Sequence, residues 1–96
     1  MEKRKQERFK TRQFAKIGGK MAVINNMSGK GIQVSTSLMP RKRKIDIVFE
    51  VFGDIIRLIG FVQWIRRKNS VNNLNRLGVV LLDPPEEYRK VVSKLI

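Results

Sequence analysis

The chain has 96 residues, enough for one compact domain with a single core and too few for two. Its 21 Lys and Arg against 8 Asp and Glu give a formal charge of +13, which favours a phosphate-bearing or otherwise acidic partner, or an anionic membrane surface. The absence of cysteine excludes disulfide and thiol chemistry and fits a reducing cytoplasm, and the absence of histidine removes the commonest general base and metal ligand.

In chain order, Met1 to Arg8 sets Lys3, Arg4, Lys5 and Arg8 against Glu2 and Glu7 without apolar periodicity. It reads as a flexible basic arm, residues 1–8, ahead of one domain over 9–96. Phe9 to Ile17 lacks helical spacing, Gly18-Gly19 is a hairpin signal, and Lys20 to Asn25 carries Met-Ala-Val-Ile, so two strands are expected. Ile32, Val34 and Thr36 then alternate with Gln33, Ser35 and Ser37, the period of a half-buried strand, and Pro40 ends it. Arg41 to Lys44 reads as a solvated basic loop. Ile45, Ile47, Phe49 and Val51 alternate with Asp46, Val48, Glu50 and Phe52, and a two-residue turn at Gly53-Asp54 leads into a strand over Ile55 to Arg67. The Asn-rich stretch from Lys68 to Asn75 is a loop, and Leu77 to Leu82 is a short buried strand. A helix over about 84–96 follows, with Asp83 as its cap, Pro84 and Pro85 in the first turn, Glu86 and Glu87 suited to its dipole, and Tyr88, Val91, Val92 and Leu95 on one apolar stripe. The pattern predicts an all-β chain with a C-terminal helix, a small antiparallel barrel or sandwich closed by that helix.

The longest apolar region, Ile45 to Ile65, is interrupted by Asp46, Glu50, Asp54 and Arg57, so neither a signal peptide nor a membrane span is expected. Asn26-Met27-Ser28 is for that reason a poor glycosylation site despite matching the sequon. An enzyme is not expected, because Glu86 and Glu87 form the one close carboxylate pair with acid/base or metal-ligand spacing, and the helix dipole already explains them. Trp64 is expected in the barrel core and Tyr88 in helix packing, since large aromatics usually supply buried area.

Two stretches point to a ligand. Asn25-Asn-Met-Ser-Gly-Lys-Gly31 sets amide, hydroxyl and glycine chemistry between two apolar runs. Asn26 offers an acceptor and two donors, Ser28 a rotatable hydroxyl, and Gly31 a backbone that a ligand can approach closely, although any tight turn needs the same residue types. Arg4-Lys-Gln-Glu-Arg8 places two guanidiniums four residues apart, each able to bind phosphate or guanine acceptors bidentately, and Arg8-Phe-Lys-Thr-Arg12 repeats the spacing.

R-x-x-x-R near the N-terminus, N-x-S-x-x-G after the next strand, Gly60-Phe-Val-Gln-Trp-Ile-Arg-Arg67 and Leu77-Gly-Val-Val-Leu-Leu82, in that order, closely resemble the PilZ domain family over nearly the whole chain. The resemblance implies a six-stranded antiparallel barrel with a C-terminal helix. It also implies a receptor for the bacterial second messenger cyclic di-GMP, which many members bind through the first two motifs. By that resemblance Arg4 and Arg8 clasp phosphates and guanine edges, Asn26 and Ser28 bind guanine from the barrel side, Gly31 keeps the surface open, and Arg12 is an accessory contact. Arg4 and Arg8 are preferred to the alternative pair because Phe9 to Ile17 then leaves nine residues for a first strand of roughly 30 Å, against five after Arg12. The separation between the two motifs is shorter than usual for the family, and Asn26 stands where Asp is commoner.

The expected function is a cytoplasmic cyclic di-GMP receptor or adaptor without a cofactor, coupling messenger level to conformation or to the binding of an unidentified protein partner. The alternatives are a small basic barrel that binds nucleic acid, favoured by the excess charge and disfavoured by the few aromatics, and a PilZ-like protein-binding adaptor without ligand.

Overall fold

The structure, a computed structural model, describes residues 9–37, 39–67 and 74–95, with residues 9–12 and 95 described by their backbone alone. Six strands, β1 (Phe9–Ile17), β2 (Lys20–Met27), β3 (Gly31–Thr36), β4 (Lys44–Val51), β5 (Asp54–Arg67) and β6 (Asn75–Leu81), precede one helix, α1 (Glu86–Leu95). They form a closed six-stranded antiparallel barrel, the expected fold, in the order β1-β2-β3-β6-β5-β4.

Alternation decides which residues fill it. Ile32, Val34 and Thr36 of β3, Ile45, Ile47 and Phe49 of β4, and Ile56 and Leu58 of β5 point inward, with their sequence neighbours outside. Burying each large aliphatic side chain contributes about 1.5–3 kcal/mol, and the set forms one continuous core with Tyr88, Val91 and Val92 of α1. The helix therefore covers the end of the barrel at which β2, β4 and β6 finish. Its attachment there is partly polar: the buried Tyr88 hydroxyl donates to the Ser28 carbonyl at 2.5 Å, and the Lys94 ammonium lies 5.1 Å from the centre of the Phe52 ring.

Closure is thinnest between β1 and β4, which pair only at Lys16↔Val48 and Ile17↔Ile47. Beyond that seam the Gln13 side-chain amide donates to the Glu50 carbonyl at 2.9 Å, and Phe14, Met21, Val48 and Ile55 line an open apolar groove of about 280 Å3.

Several local expectations shift. The Gly18-Gly19 turn is as expected, with both glycines at positive φ. In the β4–β5 hairpin, however, the loop residues are Phe52 and Gly53, at φ 53° and 81°, and Asp54 already pairs with Val51. Phe52 thus occupies the left-handed region that an aromatic side chain disfavours. Asp83 does not cap α1, because it sits at φ 47° while the Pro85 carbonyl accepts from the Tyr88 and Arg89 amides, so the helix begins at Glu86. Glu86 and Glu87 remain in the first turn, where the dipole favours them.

Tyr88→Phe should lower stability by about 1–3 kcal/mol, the cost of leaving the Ser28 carbonyl buried without its donor. Urea unfolding of the two proteins measures it, with an unchanged slope expected because the surface exposed on unfolding is the same.

Candidate functional site

The corner between β2 and β3 is held from three directions. Within it the Ser28 amide donates to the Gly31 carbonyl at 2.9 Å, the Gly31 amide donates to the Ser28 hydroxyl at 3.1 Å, and that hydroxyl donates back to the Gly31 carbonyl. From β6 the Leu81 amide donates to the Lys30 carbonyl at 2.8 Å, and from α1 Tyr88 reaches Ser28. Ser28 is 1% exposed, so its hydroxyl is engaged in building the corner. Gly31 also has a structural reason for being glycine, since a Cβ there would lie 2.8 Å from the Val79 carbonyl oxygen of β6.

Asn26 faces outward. A bulge in β2 between Ile24 and Asn26 inserts Asn25, so both asparagines reach the outer surface. The Ser35 hydroxyl donates to the Asn25 side-chain oxygen at 2.7 Å, and the Asn26 amide donates to the Gln33 side-chain oxygen at 3.1 Å. Asn26 is paired with Gln33 in register, Gln33 with Gly78, and Gly78 with Trp64. One cross-strand row thus runs from Asn26 over β3 and β6 to Trp64, across roughly 14 Å at ordinary strand spacing.

Trp64 is not in the core, contrary to the expectation from sequence. Strict alternation from Ile56 would turn it inward, but a second bulge between Val62 and Trp64 inserts Gln63 and reverses the parity. The indole, 38% exposed, instead lies over Gly78, where an added Cβ would come within 2.1 Å of the ring. A small pocket of about 70 Å3 connects Trp64 and Gln63 to Gln33, Ser28 and Lys30. On the other side of β5, Pro40, Arg41, Lys42 and Arg43 form with Gln63 and Trp64 a groove of about 290 Å3, fixed by the Val62 amide donating to the Arg43 carbonyl at 2.8 Å.

Charge is segregated on this framework. From Arg8 to Ile45 and again from Ile55 to Leu82 the chain contains no carboxylate, whereas Asp46 and Glu50 fall on β4, Asp54 is the first residue of β5, and Asp83, Glu86 and Glu87 lie around the helix start. The outer face of β2, β3, β6 and the body of β5 is therefore free of acidic side chains. At its far end Arg66 and Arg76 are directly opposite one another, and the Arg66 guanidinium carbon lies 5.7 Å from the centre of the Trp64 ring.

The structure brings Asn26, Ser28 and Gly31 into one hairpin, as the spacing predicted. Arg4 and Arg8 lie outside the described residues. Arg12 belongs to the β1 segment where register shifts between Lys10 and Gln13, and its side chain is not described. Among the described residues no three His, Cys, Asp or Glu side chains gather as a metal site would need, and no helix is long and apolar enough to cross a membrane. Gln33 and Trp64 are additions that sequence reasoning missed as site residues. Alternation did put Gln33 on the polar face of β3, and the glycine at Gly78 was the available sign of a ring lying across β6.

No family model, no curated protein and no solved structure matches this chain.

Gly78→Ala should dislodge the indole, since the new methyl group meets its ring atoms, and should cost about 1–3 kcal/mol through overpacking. Trp64 is the sole tryptophan, so a red-shifted emission with an unchanged far-UV circular dichroism spectrum reports the displacement.

Proposed function

We propose that this outer face binds cyclic di-GMP and that the protein is a receptor or adaptor of the PilZ type, converting messenger level into a change of conformation or of partner binding. The observation that carries the reading is the row from the Asn26 and Gln33 amides to the exposed Trp64 indole, on a surface without carboxylates. A cyclic guanine dinucleotide offers flat purine faces, hydrogen-bonding edges and two phosphates. The amides match the edges, the indole suits a purine face, and arginines suit the phosphates.

The chain geometry supports a contribution from the arm. Phe9 pairs with Met27, one residue from Ser28, so β1 begins beside the corner. Arg4 is five residues upstream of Phe9, a reach of up to roughly 17 Å in extended chain, which covers the row. In this reading Arg4 and Arg8 close over the phosphates from the arm side. Asn26 and Gln33 read guanine, and Ser28 with Gly31 keeps the corner in shape.

A second reading, nucleic-acid binding, is favoured by the groove of Arg41, Lys42 and Arg43 beside Trp64. It predicts tight binding of a defined nucleic acid at physiological salt, whereas in the first reading such binding is weak and steeply lost with salt.

Calorimetric titration tests the proposal. Cyclic di-GMP should bind with measurable heat, Arg8→Ala should weaken it by about 1.5–3 kcal/mol, roughly ten- to a hundredfold, and Trp64→Ala should cost about 1–3 kcal/mol. Absence of heat at saturating ligand, or an Arg4→Ala, Arg8→Ala double variant that binds as well as the parent, rejects it. Amide hydrogen exchange adds a second expectation: bound ligand protects Lys3 to Phe9 and Asn26 to Gly31 and leaves α1 unchanged.

A further inference from the structure

Arg66 and Arg76 occupy facing positions on β5 and β6. Like charges directly opposite in a sheet repel, and no carboxylate exists between Ile55 and Leu82 to separate them. The Arg76 Nε is moreover buried with no hydrogen-bond partner among the described residues. A buried guanidinium N–H is normally paired, so among the described residues the Arg76 Nε–H lacks the acceptor it calls for. The Arg66 guanidinium lies over the Trp64 ring, and Ser35, in register with Arg76 on β3, has its hydroxyl proton committed to Asn25. Arg67 follows on β5.

We propose that Arg66 and Arg76 form a seat for a phosphate group, built into the barrel and distinct from the phosphate contacts that the N-terminal arginines would supply. Two guanidiniums side by side present paired N–H donors to a tetrahedral oxyanion, and the anion removes their mutual repulsion. The ligand chemistry is a phosphomonoester or diphosphate, free or carried by a nucleotide. A nucleotide would place its base near the exposed Trp64 indole, two residues along β5.

The probes are inorganic pyrophosphate and guanosine monophosphate, titrated into the full chain at constant ionic strength. Trp64 fluorescence and thermal unfolding are the readouts. Both should change saturably with pyrophosphate, and sodium chloride of equal ionic strength should not reproduce the change. Arg76→Gln and Arg66→Gln should each weaken binding about tenfold or more, as loss of a charge-assisted contact does. Arg57→Gln, an exposed arginine facing Val48 on the other side of β5, should leave it within about twofold. The Arg4→Ala, Arg8→Ala variant should bind pyrophosphate normally even where it no longer binds cyclic di-GMP, which separates the two sites. Tighter binding of guanosine monophosphate than of pyrophosphate assigns the seat to a nucleotide, and the reverse assigns it to free phosphate. Non-saturable binding, equal losses in the Arg57→Gln and Arg76→Gln proteins, or dependence on Arg4 and Arg8 overturns the proposal.

Discussion

The side-chain parity of two strands, reversed by one inserted residue in each, is the constraint on which the binding face depends. Without Asn25 in β2 and Gln63 in β5, strict alternation would carry Asn26 or Trp64 to the wrong side of the sheet. An amide buried in an apolar core would have to find every partner there, and an indole turned inward would have to displace core residues already packed to completion. The inserted residues avoid both costs and align Asn26, Gln33, Gly78 and Trp64 in one row. The price is confined to a few unpaired ladder positions.

The corner and the helix are joined through Ser28. Ser28 receives the Tyr88 hydroxyl through its carbonyl while its own hydroxyl bridges the Gly31 amide and carbonyl, so hydrogen bonds through one residue join helix, turn and β3. A ligand contacting Asn26 therefore touches a hairpin whose other end is fastened to α1. The contrast with the β1–β4 seam is physical: only two residue pairs close it, and an open apolar groove lies alongside. Local opening has a lower barrier where ladder bonds are few, which makes the seam the more compliant part of the barrel.

Electrostatics and packing converge on the same face from different causes. From Phe9 onward the carboxylates reside on β4, at the first residue of β5 and around the helix start. The charged side chains of β2, β3, β6 and the rest of β5 are all cations. Such a surface attracts polyanions at long range, whereas selection among them rests on short-range features, the Asn26–Gln33 amide pair and the indole seated on Gly78.

How much of this was legible in the sequence depends on the range of the interaction that decides it. The alternation in β3 and β4, the glycine pair at Gly18-Gly19 and the apolar stripe of α1 are local patterns, and they determined the six strands, the helix and the inward residues Ile32, Val34, Ile45 and Ile47. The motif from Asn26 to Gly31 was legible as a corner for the same reason. Tertiary structure decided the rest. Which residues of β4–β5 form the turn followed from strand register, and the helix start followed from the positive φ of Asp83. The outward position of Trp64 required a bulge that no periodicity announces, because an inserted residue is recognised only against the strand it pairs with. Likewise the facing of Arg66 and Arg76, ten positions apart, exists only through pairing of β5 with β6, a contact that chain order alone does not specify.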